Sequence, residues 1–274
     1  MKLLILGGTS DARQLATTMH QIQPCLELVY SVAGLVRQPQ VPATVVSGGF
    51  SQFGGLGAYC KNQHINGIVN ATHPFSITMG NHAEQACNEV GIDYWRFLRP
   101  QWQQKAGDDW RLFDTRAELL RALSSYQRTF LTLGQIGPED LALLNSSQHV
   151  WLRTAVQPAH VLPANVSWIK AIGPFNEASE LALLKRHQIQ VIASKNSGGR
   201  STEAKLTAAR TLNVPVFMLQ RPTVTGPAEE QFDVLIDRLQ AWAQKPIRPA
   251  NKGKQNELYK PAILFVGQCH DHKH

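Results

Sequence analysis

Two glycines and two hydroxyl residues after the first apolar run have the composition of a phosphate-binding loop. The run Leu3–Leu6 is followed at once by Gly7, Gly8, Thr9 and Ser10. We expect Gly7 to let the chain turn sharply and Gly8 to let the backbone approach a phosphate, while Thr9 and Ser10 supply hydroxyl groups. Free amides at the start of the next helix favour a pyrophosphate. The alternative is a glycine turn with a helix cap, because Thr9 stands where the dinucleotide fingerprint has its second glycine.

The end of the second apolar run bears on the choice of nicotinamide cofactor. An NAD-binding fold commonly has an acidic residue there to hold the ribose diol. This chain has Ser31, Ala33, Gly34 and then Arg37, with no acid among residues 30–37. A serine and an arginine suit a 2′-phosphate, so the sequence favours NADPH over NADH. A solvated surface role for Arg37 is the open alternative.

Two further segments are predicted to belong to the same cofactor site. The glycine-rich stretch that begins with Gly48 and Gly49 either passes beneath the cofactor or forms a mobile turn. Thr72 and His73 directly follow the third apolar run, at the edge where open α/β sheets bind ligands. His73 is the candidate catalytic residue, as a proton donor or as a group that binds the nicotinamide amide or the substrate. Alternatively, His73 only stabilises its own loop.

A second polar glycine loop follows an apolar run in the C-terminal half. It combines two basic side chains with amide, hydroxyl and glycine residues: Lys195, Asn196, Ser197, Gly198, Gly199 and Arg200. Directed donors together with positive charge form an anion site. The loop therefore predicts binding of a substrate rich in carboxylates. The alternative is a surface loop that happens to contain a lysine.

Short apolar runs alternate with amphipathic segments and place these loops on a fold. Strands are predicted at 3–6, 26–32, 65–70, 94–98, 129–133, 150–154, 168–172, 191–193 and 216–219, and helices at 11–22, 81–90, 116–123, 177–185, 203–212 and 229–243. Such alternation implies parallel sheets with helical crossovers. We predict an α/β protein with two Rossmann-like, doubly wound domains. Residues 1–103 bind the dinucleotide, 104–244 bind the substrate, and 245–274 form a mobile tail.

Composition favours a soluble, cytoplasmic chain with an anionic partner. The 274 residues carry a formal charge of +7, and the pI is about 9.4. Dispersed positive charge argues against nucleic acid, and no apolar run approaches the roughly eighteen residues of a membrane span. The four cysteines are far apart, which argues against a disulfide framework. We interpret the terminal stretch 269–274, rich in Cys and His, as an adventitious metal binder and expect no functional metal site.

As a set, these motifs resemble the precorrin-6A reductase family of corrin biosynthesis, including its cobalt-precorrin-6A branch. The matching pieces are collinear and span roughly residues 3–222. They are Ile5 to Thr9, Ser31 to Gly34, Gly48 to Phe50, Ala71 to Phe75, Arg96 through Arg99, Pro100 and Trp102, Gly173 to Phe175, and Ser194 to Gly199. One piece alone would mean little, whereas the whole set is specific.

The resemblance implies two Rossmann-like domains that exchange strands, with cofactor and macrocycle meeting in the cleft. It also implies hydride transfer from NADPH, or NADH in some cobalt-branch enzymes, to a tetrapyrrole polycarboxylate, giving the dihydro product. Many members have arginine where this chain has Leu35, and Arg37 is the candidate replacement. A short-chain reductase is disfavoured because no tyrosine has a lysine four residues later. A non-catalytic dinucleotide sensor is the alternative from another class.

Overall fold

The strands of the chain form two parallel sheets. The computed structural model describes residues 1–34 and 39–246, so Arg37 and the Cys- and His-rich terminus lie outside the described residues. The first sheet has the order β3-β2-β1-β4-β5, and the second has the order β6-β11-β10-β7-β8-β9. The strands are β1 (Lys2–Leu6), β2 (Glu27–Val32), β3 (Thr44–Ser47), β4 (Gly67–Asn70), β5 (Asp93–Arg96), β6 (Trp110–Phe113), β7 (Arg128–Thr132), β8 (His149–Thr154), β9 (Val166–Lys170), β10 (Val191–Lys195) and β11 (Val216–Leu219).

Helices cover both faces of each sheet. They are α1 (Ser10–Ile22), α2 (Leu56–Asn62), α3 (Ile77–Val90), α4 (Arg116–Ala122), α5 (Pro138–Leu141), α6 (Glu177–Arg186), α7 (Ala204–Thr211) and α8 (Phe232–Ala243). In β1, Leu3 and Ile5 pack with α1 and α8, while Leu4 and Leu6 pack with α2 and α3. A strand buried on both faces has no polar positions, which explains the unbroken apolar run at the start of the sequence.

The predicted fold class, two Rossmann-like parallel-sheet domains, is confirmed. The first sheet has the strand order of dinucleotide-binding folds. Sequence reasoning missed β3 and β6, one edge strand of each sheet, which have partly exposed residues instead of an apolar run. It also missed α2 and the single-turn α5, and α3 begins one turn earlier than predicted. Among the described helices, none is long and apolar enough to cross a membrane.

The C-terminal helix α8 packs on the first sheet, although the predicted boundary placed it in the second domain. Leu235, Leu239 and Trp242 of α8 are buried in the same core as α1. The Trp242 indole stands edge-on to Trp95 at 5.1 Å, and its Nε1 donates to Asp93 at 2.8 Å. Amphipathic periodicity predicts that such a helix is buried, but not against which sheet.

In the described residues, each sheet is built from one continuous stretch of chain, residues 2–96 for the first and 110–219 for the second. The exchange of whole strands that the resemblance implied is not seen there. What returns to the first sheet is α8, preceded by an isolated parallel bridge between Phe97 and Glu229. The two halves are therefore joined by two crossings of the chain.

Replacing Trp242 with alanine tests the docking of α8. We expect a loss of about 3–5 kcal/mol of unfolding free energy, because the substitution empties a buried aromatic site. Urea unfolding followed by far-ultraviolet circular dichroism measures it. Trp242→Phe is the matched control, since it keeps an aromatic ring, loses the bond to Asp93, and should cost clearly less. A loss below about 0.5 kcal/mol for the alanine variant, as at a surface position, would contradict this packing.

Candidate functional site

The first glycine loop turns at Gly8 and not at Gly7. Gly8 has φ of +99°, the left-handed region that favours glycine. An added Cβ on Gly7 would lie only 2.6 Å from Oη and 2.7 Å from Cε1 of Tyr30. The turn expected at Gly7 is therefore made by Gly8, whereas Gly7 makes room for a tyrosine.

Tyr30 on β2 holds this loop in place. Its side chain is fully buried, and its hydroxyl oxygen accepts a hydrogen bond from the Gly8 amide at 3.0 Å. Burial raises the pKa of the hydroxyl, although the Gly8 amide acts in the opposite direction. The Gly7 amide donates to the Ser31 carbonyl at 2.8 Å. Two amides of the predicted phosphate cradle are therefore occupied by β2.

Thr9 and Ser10 form the start of helix α1. The Thr9 hydroxyl donates to the Ala71 carbonyl at 2.8 Å and accepts from the Ala12 amide at 3.1 Å, which makes Thr9 the N-cap of α1. Ser10 is the first residue of that helix. Thr9 thus ties the end of β1 to the end of β4, between which a ligand crevice forms in this strand order.

A cavity of about 660 Å³ opens at this crevice, within the range of small-molecule and cofactor sites. It brings together most of the residues predicted to bind the cofactor: Gly7, Gly8, Ser31, Ala33, Gly34, Gly48, Gly49, Thr72 and His73. Thr9 and Ser10 do not line it, and Arg37 lies outside the described residues. Sequence reasoning missed Arg13 and Tyr30 as lining residues. It also missed the second domain's contribution, which is Ala155, Ile172, Gly173 and Pro174.

The second-domain wall of the cavity rests on a buried ion pair. Arg153 binds Glu180 through both guanidinium nitrogens, at 2.5 and 3.1 Å. Its guanidinium carbon lies 3.9 Å from the ring centroid of Phe175, which directly follows the cavity residues Gly173 and Pro174. This pairing is strong because it is charge-assisted and bidentate. It fixes the segment that faces the first domain.

A side-chain network determines the hydrogen-bonding character of Thr72. Asn70 Oδ1 accepts from the Thr72 hydroxyl at 2.7 Å and from its amide at 3.2 Å. Asn70 is oriented in turn by Tyr94, whose hydroxyl also accepts from Arg96 at 3.1 Å. Because the Thr72 hydroxyl proton is used by Asn70, its oxygen is left as an acceptor. The Asn70–Thr72 contact is a local Asx turn. The contact of Asn70 with Tyr94 could not be predicted from sequence, because it depends on the register of β4 with β5.

His73 offers a hydrogen-bond donor, whereas Thr72 offers an acceptor. Its Nδ1 accepts from the Phe75 amide at 3.3 Å, so the neutral ring carries its proton on Nε2. Burial, and next the charges of Arg99 and Lys195, lower the pKa of His73 to about 3. The ring is therefore neutral at physiological pH and offers a fixed N–H donor. A protonated imidazolium is not available to donate a proton from this position.

Lys195 ends β10 at the point where the strand order of the second sheet reverses, between β7 and β10. This is the edge at which such sheets bind ligands. Its Nζ lies 5.2 Å from the ring centroid of Phe75, so it faces the His73 loop, although it does not line the cavity. Burial and the charge of Arg116 lower the pKa of Lys195 to about 8, while Asp140 raises it. Asp140 is itself paired with Arg116 at 2.7 Å.

The rest of the second loop is more buried than an open anion cradle. The Asn196 amide group accepts from Trp102 N at 2.9 Å and donates to Trp102 O at 3.1 Å, so it holds the linker and not a ligand. Ser197 and Gly199 are buried, whereas Arg200 is exposed. Of the residues predicted to bind substrate, Arg200 is exposed, and Lys195 and Gly198 are half-buried.

The substitution Gly7→Ala tests the first loop. We expect it to lower the unfolding free energy by about 1–3 kcal/mol, because the new methyl group overpacks against the buried Tyr30 ring. The matched control is Gly57→Ala in α2, where a Cβ would lie 3.6 Å from the nearest atom. That control should be neutral or stabilising, since alanine favours a helix by about 1 kcal/mol. Equal effects of the two substitutions in thermal or urea unfolding would contradict the assigned role of Gly7.

Comparison with known proteins agrees with this architecture. Residues 2–241 match the family model described as Precorrin-6x reductase CbiJ/CobK. A precorrin-6A reductase of Rhodococcus erythropolis is 41% identical over 239 residues, covering 85% of this chain and 93% of that protein. A cobalt-precorrin-6A reductase of Salmonella typhimurium is 25% identical over 264 residues, covering 89% and 94%.

A solved structure, titled CobK precorrin-6A reductase, is similar along nearly its whole length. It superposes with a TM-score of 0.81 at 32% identity and covers 90% of this chain and 99% of its own. The family match, the sequence relatives and the shared fold agree with one another. The chain therefore belongs to the precorrin-6x reductase family.

Proposed function

We propose that the chain reduces precorrin-6A with NADPH to give the dihydro macrocycle precorrin-6B. One observation carries this proposal: the ligand-binding edges of the two sheets meet at the His73–Phe75 loop, with the cofactor cavity on one side and Lys195 on the other. The cobalt-free substrate is favoured because precorrin-6A reductases are 34–41% identical to the chain, against 25–26% for the cobalt-precorrin enzymes.

The cavity fits a nicotinamide dinucleotide. It lies at the switch point of a sheet with dinucleotide-binding order, beside the start of α1. Arg13 and Ser31 line it and are candidates to hold phosphate, with Arg37 a further candidate. Gly48 and Gly49 form part of its wall. NADPH is favoured over NADH because Arg13 adds a cation and no acid lines the cavity in the part of the chain that the structure describes.

Thr72 and His73 present one acceptor and one donor to the cavity. A carboxamide has one carbonyl oxygen and one NH₂ group, so this pair matches the nicotinamide amide. NADPH supplies the hydride when it is bound. We assign His73 to orientation and not to proton donation, because burial and nearby cations lower its pKa to about 3 and favour the neutral ring. Lys195 and Arg200 are assigned to substrate carboxylates, and Asn196 positions the loop.

Cofactor oxidation is the direct test of the proposed function. The near-ultraviolet absorbance of NADPH should fall only when precorrin-6A is added, and the product should gain two hydrogen atoms by mass spectrometry. Parallel assays with cobalt-precorrin-6A and with NADH should give lower kcat/KM. If neither macrocycle causes oxidation while NADPH still binds, the non-catalytic sensor is the correct interpretation.

The pH dependence of substrate binding tests Lys195. Its lowered pKa means that the ammonium is present below about pH 8 and lost above it. The macrocycle KM should therefore rise above this pH. Lys195→Met should raise KM about 10- to 100-fold below it, as expected for one charge-assisted hydrogen bond, and leave the NADPH KM nearly unchanged.

Two variants serve as controls for this prediction. Lys195→Arg keeps its charge at high pH, so the rise in KM above about pH 8 should disappear. Lys105→Met removes an exposed lysine that pairs with Glu203 and should not change KM. A rise in KM that persists in Lys195→Arg would assign the titration to another group and remove Lys195 from the substrate site.

A further inference from the structure

One guanidinium contacts both predicted binding regions. Arg99 lies in the linker between β5 and β6, and its side chain is 11% exposed. Its Nη1 donates to the Asp11 carboxylate, in the first turn of α1, and its Nε donates to the Ser197 carbonyl at 2.6 Å. The planar guanidinium fixes these two directions relative to each other. One side chain thus joins the first turn of α1 to the second glycine loop.

The second loop cannot move independently of this linker. The Arg221 guanidinium donates to the carbonyls of Arg99 at 2.6 Å, Pro100 at 3.1 Å and Asn196 at 2.8 Å. An added Cβ on Gly198 would overlap the Pro100 carbonyl, and one on Gly199 would lie 3.2 Å from the Arg99 guanidinium. The loop is therefore packed directly on the backbone and side chain of residues 99 and 100.

Asp11 gives the Arg99 contact an electrostatic consequence at the cofactor site. A helix N-terminus favours an anion, but a carboxylate in the first turn repels a second anion bound there. Pairing with Arg99 offsets this repulsion. The Arg99 charge also contributes, after burial, to the lowered pKa of His73. The same cation therefore acts on α1, on the His73 loop and on the second glycine loop.

We propose that Arg99 is a positioning residue that couples occupancy of the cofactor cavity to the affinity of the second glycine loop for substrate carboxylates. The inference rests on the proposed function. A cofactor in the cavity, bound by Arg13 of α1, restrains the start of this helix and with it Asp11 and, through Arg99, the Ser197 backbone. Substrate bound afterwards finds this loop already ordered, so each ligand favours the other reciprocally.

The coupling is measured with precorrin-6A and NADP⁺, which binds without supplying a hydride. The dissociation constant of precorrin-6A is determined by fluorescence titration with and without saturating NADP⁺. In the unaltered chain, NADP⁺ should tighten it by about fivefold or more. In Arg99→Gln the ratio should approach one. Arg99→Lys should also lose most of it, because one ammonium does not reproduce the two directed donors.

Asp11→Ala separates coupling from a merely structural role. It removes the carboxylate beside the cofactor site, so NADP⁺ alone should bind at least as tightly as to the unaltered chain. The ratio for precorrin-6A should nevertheless approach one. A destabilised protein would instead bind both ligands more weakly. This variant also decides the matter if Arg99→Gln does not fold, since Asp11 is partly exposed.

Arg210→Met is the matched control, because it breaks another arginine–aspartate pair, with Asp108 at 2.8 Å. It should leave the ratio unchanged. A ratio near one in the unaltered chain, or a ratio retained in Asp11→Ala, would overturn the inference even if turnover proceeds normally. Failure of the proposed function is distinguishable, since it would show as absence of cofactor oxidation in the unaltered chain.

Discussion

The packing of the linker at residues 99–102 against the second glycine loop is the constraint on which both halves of the site depend. Buried backbone groups must find hydrogen-bond partners. Here Asn196 satisfies both backbone groups of Trp102, and Arg221 satisfies three carbonyls of the linker and loop. Releasing Asn196 to a ligand would leave the buried backbone groups of Trp102 unpaired. The main role of the second glycine loop is therefore to fix the linker between the two sheets. Its contact with a ligand is a secondary role.

In the first domain too, some polar groups hold the fold together and others are left for a ligand. Thr9 and Tyr30 have the polar groups expected of a phosphate site, yet they join the ends of β1, β2 and β4 to one another. The groups left to a ligand belong to side chains that use only one of their two hydrogen-bonding functions within the protein. The Thr72 oxygen still accepts, and His73 Nε2 still donates. A rigid arrangement of this kind limits the reorganisation needed when a cofactor binds.

The sequence predicted the parts of the fold that depend on burial, and it placed candidate site residues near strand ends. Strands such as β1 and β10 are buried; Gly7 directly follows β1, His73 lies three residues after β4, and Lys195 ends β10. The edge strands β3 and β6 lack that signal. The role of Gly7 follows from the packing of Tyr30 against it, which the sequence does not show. That Arg13 lines the cavity follows from the geometry of α1. Long-range register, and not local pattern, determines these features.

The positive balance of the chain does not by itself explain recognition of a polyanion. Arg99 and Arg153 are paired with carboxylates, and Arg221 with carbonyl groups, so their charges hold the protein together. A net charge of +7 raises the encounter rate with an anion. Retention at the site requires a cation that is poorly hydrated and incompletely paired. Lys195 of the proposed substrate site has an aromatic ring as its neighbour and a lowered pKa, and so meets this requirement. A carboxylate placed beside it would restore the stabilisation of charge that burial removed.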